Sequence, residues 1–199
     1  MKFLKYLLYV ILALILIFLA LGIFKSSISY GHEIKVDKPL KEAWAVSQDA
    51  SKYDKWLKGF KSIELISGEQ NEVGSKYKVI VNPGEGQPDF EMTETIISLE
   101  EFDHVTLDFD SDMMDFVQTI NFSEEDGKTV ISSDSKVIGK GIITRSMLAS
   151  MEMLMGAFTA QEAENFEALK VLINENTTDY YPAPVEEVTE DDEVETEGD

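Results

Sequence analysis

The sequence predicts an α+β chain. A curved antiparallel sheet of about seven strands folds around one long C-terminal helix, with two short helices after the first strand and one transmembrane helix ahead of it all. Three observations lead there. An uncharged apolar run extends from Tyr6 to Phe24. Hydropathy then alternates with a period of two from Lys61 to Ile138, the mark of strands with one wet face. Beyond Gly141 the apolar residues step by three and four, the mark of a one-sided helix.

Residues 1–25 read as the anchor. A helix needs roughly 20 apolar residues to cross the hydrocarbon core, and the run behind Lys2 and Lys5 is of that length. The competing reading is a cleaved signal, because Ala20-Leu21-Gly22 sets small residues at the two cleavage-site positions. Ile23 and Phe24 prolong the run beyond a usual signal core, which favours the anchor. A lipoprotein anchor is excluded, since the chain has no cysteine. Lys2, Lys5 and the α-amine face Lys25, Lys35, Lys38 and Lys41 across the run. The tighter basic cluster is the N-terminal one, so the folded domain is expected on the extracytoplasmic side.

Residues 28–174 read as the folded domain. Ile28 to Val36 alternates as a first strand; Asp37 and Pro39 then open a helix carrying Leu40, Ala43, Trp44 and Val46. Asp49 or Ser51 caps a second short helix with Tyr53, Trp56 and Leu57. Strands follow around Ile63 and Leu65, Tyr77 to Val81, Phe90 to Ile96, Val105 to Phe109, Met114 to Phe122 and Thr129 to Ile138. Asn82 to Pro88 is a loop by composition, and Asp126-Gly127 is a tight hairpin signal. Leu148, Met151, Met155, Phe158, Phe166, Leu169 and Ile173 form the stripe of one long helix, with Gly156 as a possible bend. Residues 175–199 end in a nearly continuous acidic run, expected to be a disordered tail.

This order of elements resembles the helix-grip fold of the START-like (SRPBCC) superfamily, which includes polyketide cyclase-like proteins and Bet v 1 relatives. The resemblance is carried by His32-Glu33-Ile34-Lys35-Val36-Asp37-Lys38-Pro39 with Ala43-Trp44, by Asp49, Tyr53 and Trp56, and by Glu72-Val73-Gly74. It covers residues 29–173. It implies a hydrophobic cavity between the sheet and the long helix, and says little about chemistry.

Composition narrows the function classes. With 38 acidic against 17 basic side chains the net charge is −21, which repels nucleic acid. His32 and His104 are the only histidines, and neither has a nearby Cys or a second His at ligand spacing. No cofactor is expected. The expected ligand-binding residues are Trp56, Phe90, Met92, Leu107, Phe109, Met114, Phe116, Gln118, Met147, Met151, Met155 and Glu162. Thioether side chains adapt to varied apolar shapes, as a promiscuous cavity requires; they also plug irregular cores. Glu162 stands where the helix stripe calls for an apolar residue. It is either a buried acid or polar anchor, or it stays wet while Ala163 takes the core position. Gln118 and Glu94 interrupt apolar strand faces and can orient a ligand. Arg145, the only arginine, meets either an anionic headgroup or a surface carboxylate.

The function expected from all this is a membrane-anchored START-like module holding a lipid or other hydrophobic small molecule. Two alternatives stand beside it. One is a cyclase- or hydratase-like enzyme using a buried carboxylate. The other is an interaction protein with a collapsed cavity. The expected partners are the bilayer and the apolar ligand.

Overall fold

In the structure, a computed structural model, residues 2–84 and 86–182 are described. Most of the expected tail, residues 183–199, lies outside them.

Helix α1 (Lys2–Phe24) takes up the apolar run and is long and apolar enough to cross a membrane. Its last turn is not free: Gly22 is buried against the helix that follows the sheet, and its N–H donates to Ser146 Oγ at 3.1 Å. A side chain at position 22 would strike the Ile142 carbonyl and the Ser146 hydroxyl. The close approach is possible because glycine has no Cβ.

The expected first strand is broken into β1 (Ile28–Tyr30) and β2 (Glu33–Val36), both antiparallel to the last strand. Gly31 lies against the Ser133 backbone, where a Cβ has no room, and the His32 N–H donates to Ser133 Oγ at 3.1 Å. Helix α2 (Leu40–Gln48) follows Pro39 without a side-chain cap. Asp37 was the expected cap; its carboxylate instead pairs with Lys128 at 2.7 Å. Asp49 does cap the next turn, accepting from the Ser51 N–H at 3.1 Å, ahead of the short α3 (Tyr53–Trp56).

Six strands complete the sheet: β3 (Phe60–Ser67), β4 (Lys76–Val81), β5 (Phe90–Glu100), β6 (His104–Asp110), β7 (Met114–Glu125) and β8 (Lys128–Gly139). Their order is β1-β8-β7-β6-β5-β4-β3, antiparallel throughout, with β2 beside β1 on β8. Register shifts interrupt β3 against β4 near each of its ends, and β5 against β6 between Ile96 and Ser98. Such bulges bend a strand and let the sheet wrap. Eight strands therefore stand where about seven were expected, because the first was split.

The long helix is also split. α4 (Ile142–Met155) ends at Gly156, whose left-handed φ of 59° and ψ of 36° break the axis, and α5 (Ala157–Asn174) continues. Glu152 bridges the break by accepting from the N–H of Phe158 at 2.8 Å. Phe166, Leu169 and Ile173 of α5 are fully buried against Ile34, Phe122 and Ile131 of the sheet and against Trp44 of α2. Asn165 fixes α5 to the loop after α3, accepting from the Lys58 N–H at 3.0 Å.

The first residues of the expected tail are held against α2. Asn176 is buried and its amide donates to Glu42 at 2.9 Å. The Tyr180 hydroxyl donates to Asp49 at 2.7 Å and accepts from Lys52 Nζ at 2.6 Å, while Lys41 sits over the Tyr181 ring. The packed chain thus extends past Asn174, to Tyr181.

Candidate functional site

Directly opposed residues on neighbouring strands share a face of the sheet. Register therefore places Tyr77, Glu94, Phe109, Phe116 and Val137 in one row across the inner face. The next row holds Ile96, Leu107, Gln118, Ser135 and Tyr30. α5 covers the ends of the strands beyond these rows. Toward Phe90, Met92, Met114 and Phe116 the face is only partly covered, and those side chains are half-buried. The outcome is an apolar groove floored by the sheet, with Tyr77, Val79, Ile96 and Phe109 packed beneath it.

An aromatic stack runs along the groove. Phe109 and Phe116 lie parallel with centroids 5.1 Å apart, and Tyr30 stacks on Phe116 at 6.4 Å. Tyr30 also meets Phe158, in the first turn of α5, at 5.6 Å. Beside the stack sits a polar cluster. Glu162 is 6% exposed. Its Oε1 accepts from Gln118 Nε2 at 2.8 Å and from Ser135 Oγ at 3.2 Å. Of the two alternatives for Glu162, the structure shows the buried one, with one carboxyl oxygen met by donors on β7 and β8. Burial, with Glu162 and Glu152 nearby, pushes the Tyr30 phenol well above its usual range against a weaker opposing bond to Ser135.

Glu94 stands apart from this cluster. Burial pushes its carboxyl up to about 7. It lies close enough to Tyr53 that its charge adds to the burial holding that phenol well above its usual range. A carboxyl near neutrality on an apolar face can hold or give up a proton at physiological pH.

Sequence reasoning grouped Phe90, Met92, Leu107, Phe109, Met114, Phe116, Gln118 and Glu162, and the structure brings these onto one face. Trp56 is placed differently, inside the core, packed edge-on to Tyr53. Its indole N–H is buried and meets no acceptor among the described residues. Met147, Met151 and Met155 do not line the groove: all three are exposed on α4. The break at Gly156 turns α4 toward α1, and the thioethers turn with it. Arg145 pairs with no carboxylate among the described residues; its Nε donates to the Gly139 carbonyl at 2.9 Å.

One arrangement escaped sequence reasoning. Ser98 Oγ lies 2.8 Å from His104 Nε2, and His104 Nδ1 lies 2.6 Å from Asp103 Oδ2. With Glu100, Asp103 and His104 also gather three potential metal ligands. Register puts His104 in line with Asn121 and Ser132, on the convex face away from the groove. The signal was the six-residue spacing across the β5–β6 turn, legible only once the turn is known. An open depression of about 590 Å³ lies at the β1–β8 edge, lined by Ser29, Tyr30, Val117, Asp134, Ser135 and Lys136.

The profile of the family described as polyketide cyclase / dehydrase and lipid transport matches residues 27–169. No curated protein matches the chain in sequence. Among solved structures, a conserved protein from Geobacillus kaustophilus is similar at 17% identity and a TM-score of 0.58, over 73% of this chain and 95% of that one. The di-domain ARO/CYC StfQ from the steffimycin biosynthetic pathway is similar at 10% identity and a TM-score of 0.59, over 75% of this chain and 51% of that one. The di-domain ARO/CYC BexL from the BE-7585A biosynthetic pathway is similar at 13% identity and a TM-score of 0.57, over 76% and 51%. The chain spans about half the length of each di-domain protein. At these identities the likenesses concern the fold. That fold is the one the curved sheet and its gripped helix display, and with the profile match over most of the chain it places the protein in the polyketide cyclase / dehydrase and lipid transport family.

Proposed function

We propose that the protein is a membrane-anchored binding module that holds a lipid or other hydrophobic small molecule in the groove between the sheet and the C-terminal helices. The observation that carries this is the half-covered apolar face around Phe90, Met92, Met114 and Phe116. Side chains of this kind are normally sealed, and here α5 stops short of them. The lipid transport in the family's description supports the same reading. Gln118, Ser135 and Glu162 supply the few polar contacts that fix a ligand's orientation.

Anchoring through α1 is part of the proposal, and the packing of Gly22 supports it over a removed leader. Cleavage at Ala20-Leu21-Gly22 would cut the chain where it is packed into the domain. With Lys2 and Lys5 inside, the domain stands on the extracytoplasmic side.

The test is native mass spectrometry with lipid extraction, on the full chain purified in detergent from a membrane-containing host. The expected result is a defined apolar mass that is lost in Phe116→Asp. A clean protein mass, unchanged by added lipids, would end this reading. A second reading has an observation of its own: Glu94, near neutrality on the groove face, suits acid–base catalysis on the bound molecule. Its sign would be a bound mass that changes with time in the parent and stays constant in Glu94→Gln.

A further inference from the structure

Helix α4 carries two charged residues, and both are engaged on its inner side. Arg145 donates to the Gly139 carbonyl, and Glu152 accepts from the first turn of α5. Ser146 receives Gly22 of α1. What remains is a stripe at steps of four, four and three: Ile143, Met147, Met151 and Leu154. All four are exposed, Leu154 to 83%. No polar or charged residue interrupts the stripe. In a chain of net charge −21, an uncharged helical face of this length stands out from the surface around it.

Its position says what covers it. Gly22 lies three residues before Lys25, the first charge after the apolar run, so it sits about 4.5 Å inside the end of that run. The first turn of α4 touches Gly22 directly. Any bilayer that holds α1 therefore reaches the level of Ile142 and Ile143, where the exposed stripe begins. A second copy of the chain, by contrast, would have to displace lipid beside α1 to reach the same face.

From this we infer that α4 is an interfacial helix. It rests on the bilayer with Ile143, Met147, Met151 and Leu154 in the boundary between headgroups and acyl chains. Phe158 and Tyr30, just past the α4–α5 break, then bring the aromatic end of the groove close to lipid. An apolar ligand passes between bilayer and groove along α4. This rests on the reading of α1 as a retained anchor.

The natural absence of cysteine makes the test direct. Single variants Ile143→Cys, Leu154→Cys, Ser123→Cys and Leu12→Cys of the full chain would be spin-labelled in phosphatidylcholine vesicles. Collision with oxygen, which concentrates in lipid, is compared with collision with a water-soluble nickel chelate. The expected oxygen-to-nickel ratio is high at position 12 and, at 143 and 154, several-fold above that at 123, on the far hairpin. If 12 reads as lipid while 143 and 154 match 123, the anchor stands and the interfacial helix falls. Shielding of 143 and 154 from both reagents means a protein surface covers them, and overturns the inference as well. A water-like ratio at 12 removes the anchor itself, and this inference with it.

Discussion

α4 and α5 are two halves of what the sequence presents as one striped helix, and they do opposite things with the stripe. In α5, Phe166 and Leu169 are 1% and 0% exposed. In α4, of the larger apolar side chains, only Leu148 is buried; Met153, Leu154 and Met155 stand mostly in the open. The same amphipathic period serves a packed core in one half and an uncovered face in the other. A helical stripe states that an apolar neighbour is needed, and leaves open whether that neighbour is protein or lipid.

Substitutions along the two halves can break or sharpen this contrast. The largest effect is expected at Leu169→Ala, which empties a closed core and costs about 2–5 kcal/mol of stability by denaturant titration in mild detergent. Glu94 comes next, and its effect depends on pH. Its carboxyl titrates near 7 in the fold against 4.5 ordinarily, so between those values the native state holds the proton more tightly than the unfolded chain. Stability should therefore fall as pH rises from 4.5 to 7 and level off above. Glu94→Gln should lose that slope and exceed the parent at pH 8, by at most roughly 3 kcal/mol. Equal slopes in the two proteins would show that Glu94 is not held in a desolvated site.

Smaller effects test the break itself. Gly156→Ala forces a Cβ into the left-handed region and should cost about 1 kcal/mol. A stabilised variant would mean that α4 and α5 prefer to run as one helix. At the bottom of the scale, Leu154→Ala should change stability in detergent by less than about 0.5 kcal/mol. A loss approaching that of Leu169→Ala would show that α4 is packed after all, and the contrast would disappear.

Much of the fold was legible because local pattern and long-range partner agree. Alternation in β5, β6 and β7 places Met92, Leu107, Phe109 and Phe116 on one side, and hairpin connections then bring them together. The run behind Lys5 is legible by length alone. Other features depend on partners far away in the chain. The burial of Glu162 follows from Gln118, 44 residues before it, whose amide satisfies the carboxylate. The split between β1 and β2 follows from the approach of Gly31 to Ser133. Met147, Met151 and Met155, three of the four methionines of α4, are expected at the groove from sequence because helical period gives a direction only relative to its own axis. That axis turns at Gly156, and nothing near Met151 in sequence announces how far.

The clasp made by Asn176 and Tyr180 also sets where charge leaves the molecule. It pins the chain to α2 at the end of α5 remote from Gly156, and the 18 residues of α5 span about 27 Å. Nine acidic residues follow, all between Glu186 and Asp199. The uncharged face of α4 and the last packed residues ahead of that acidic stretch thus lie at opposite ends of one helix.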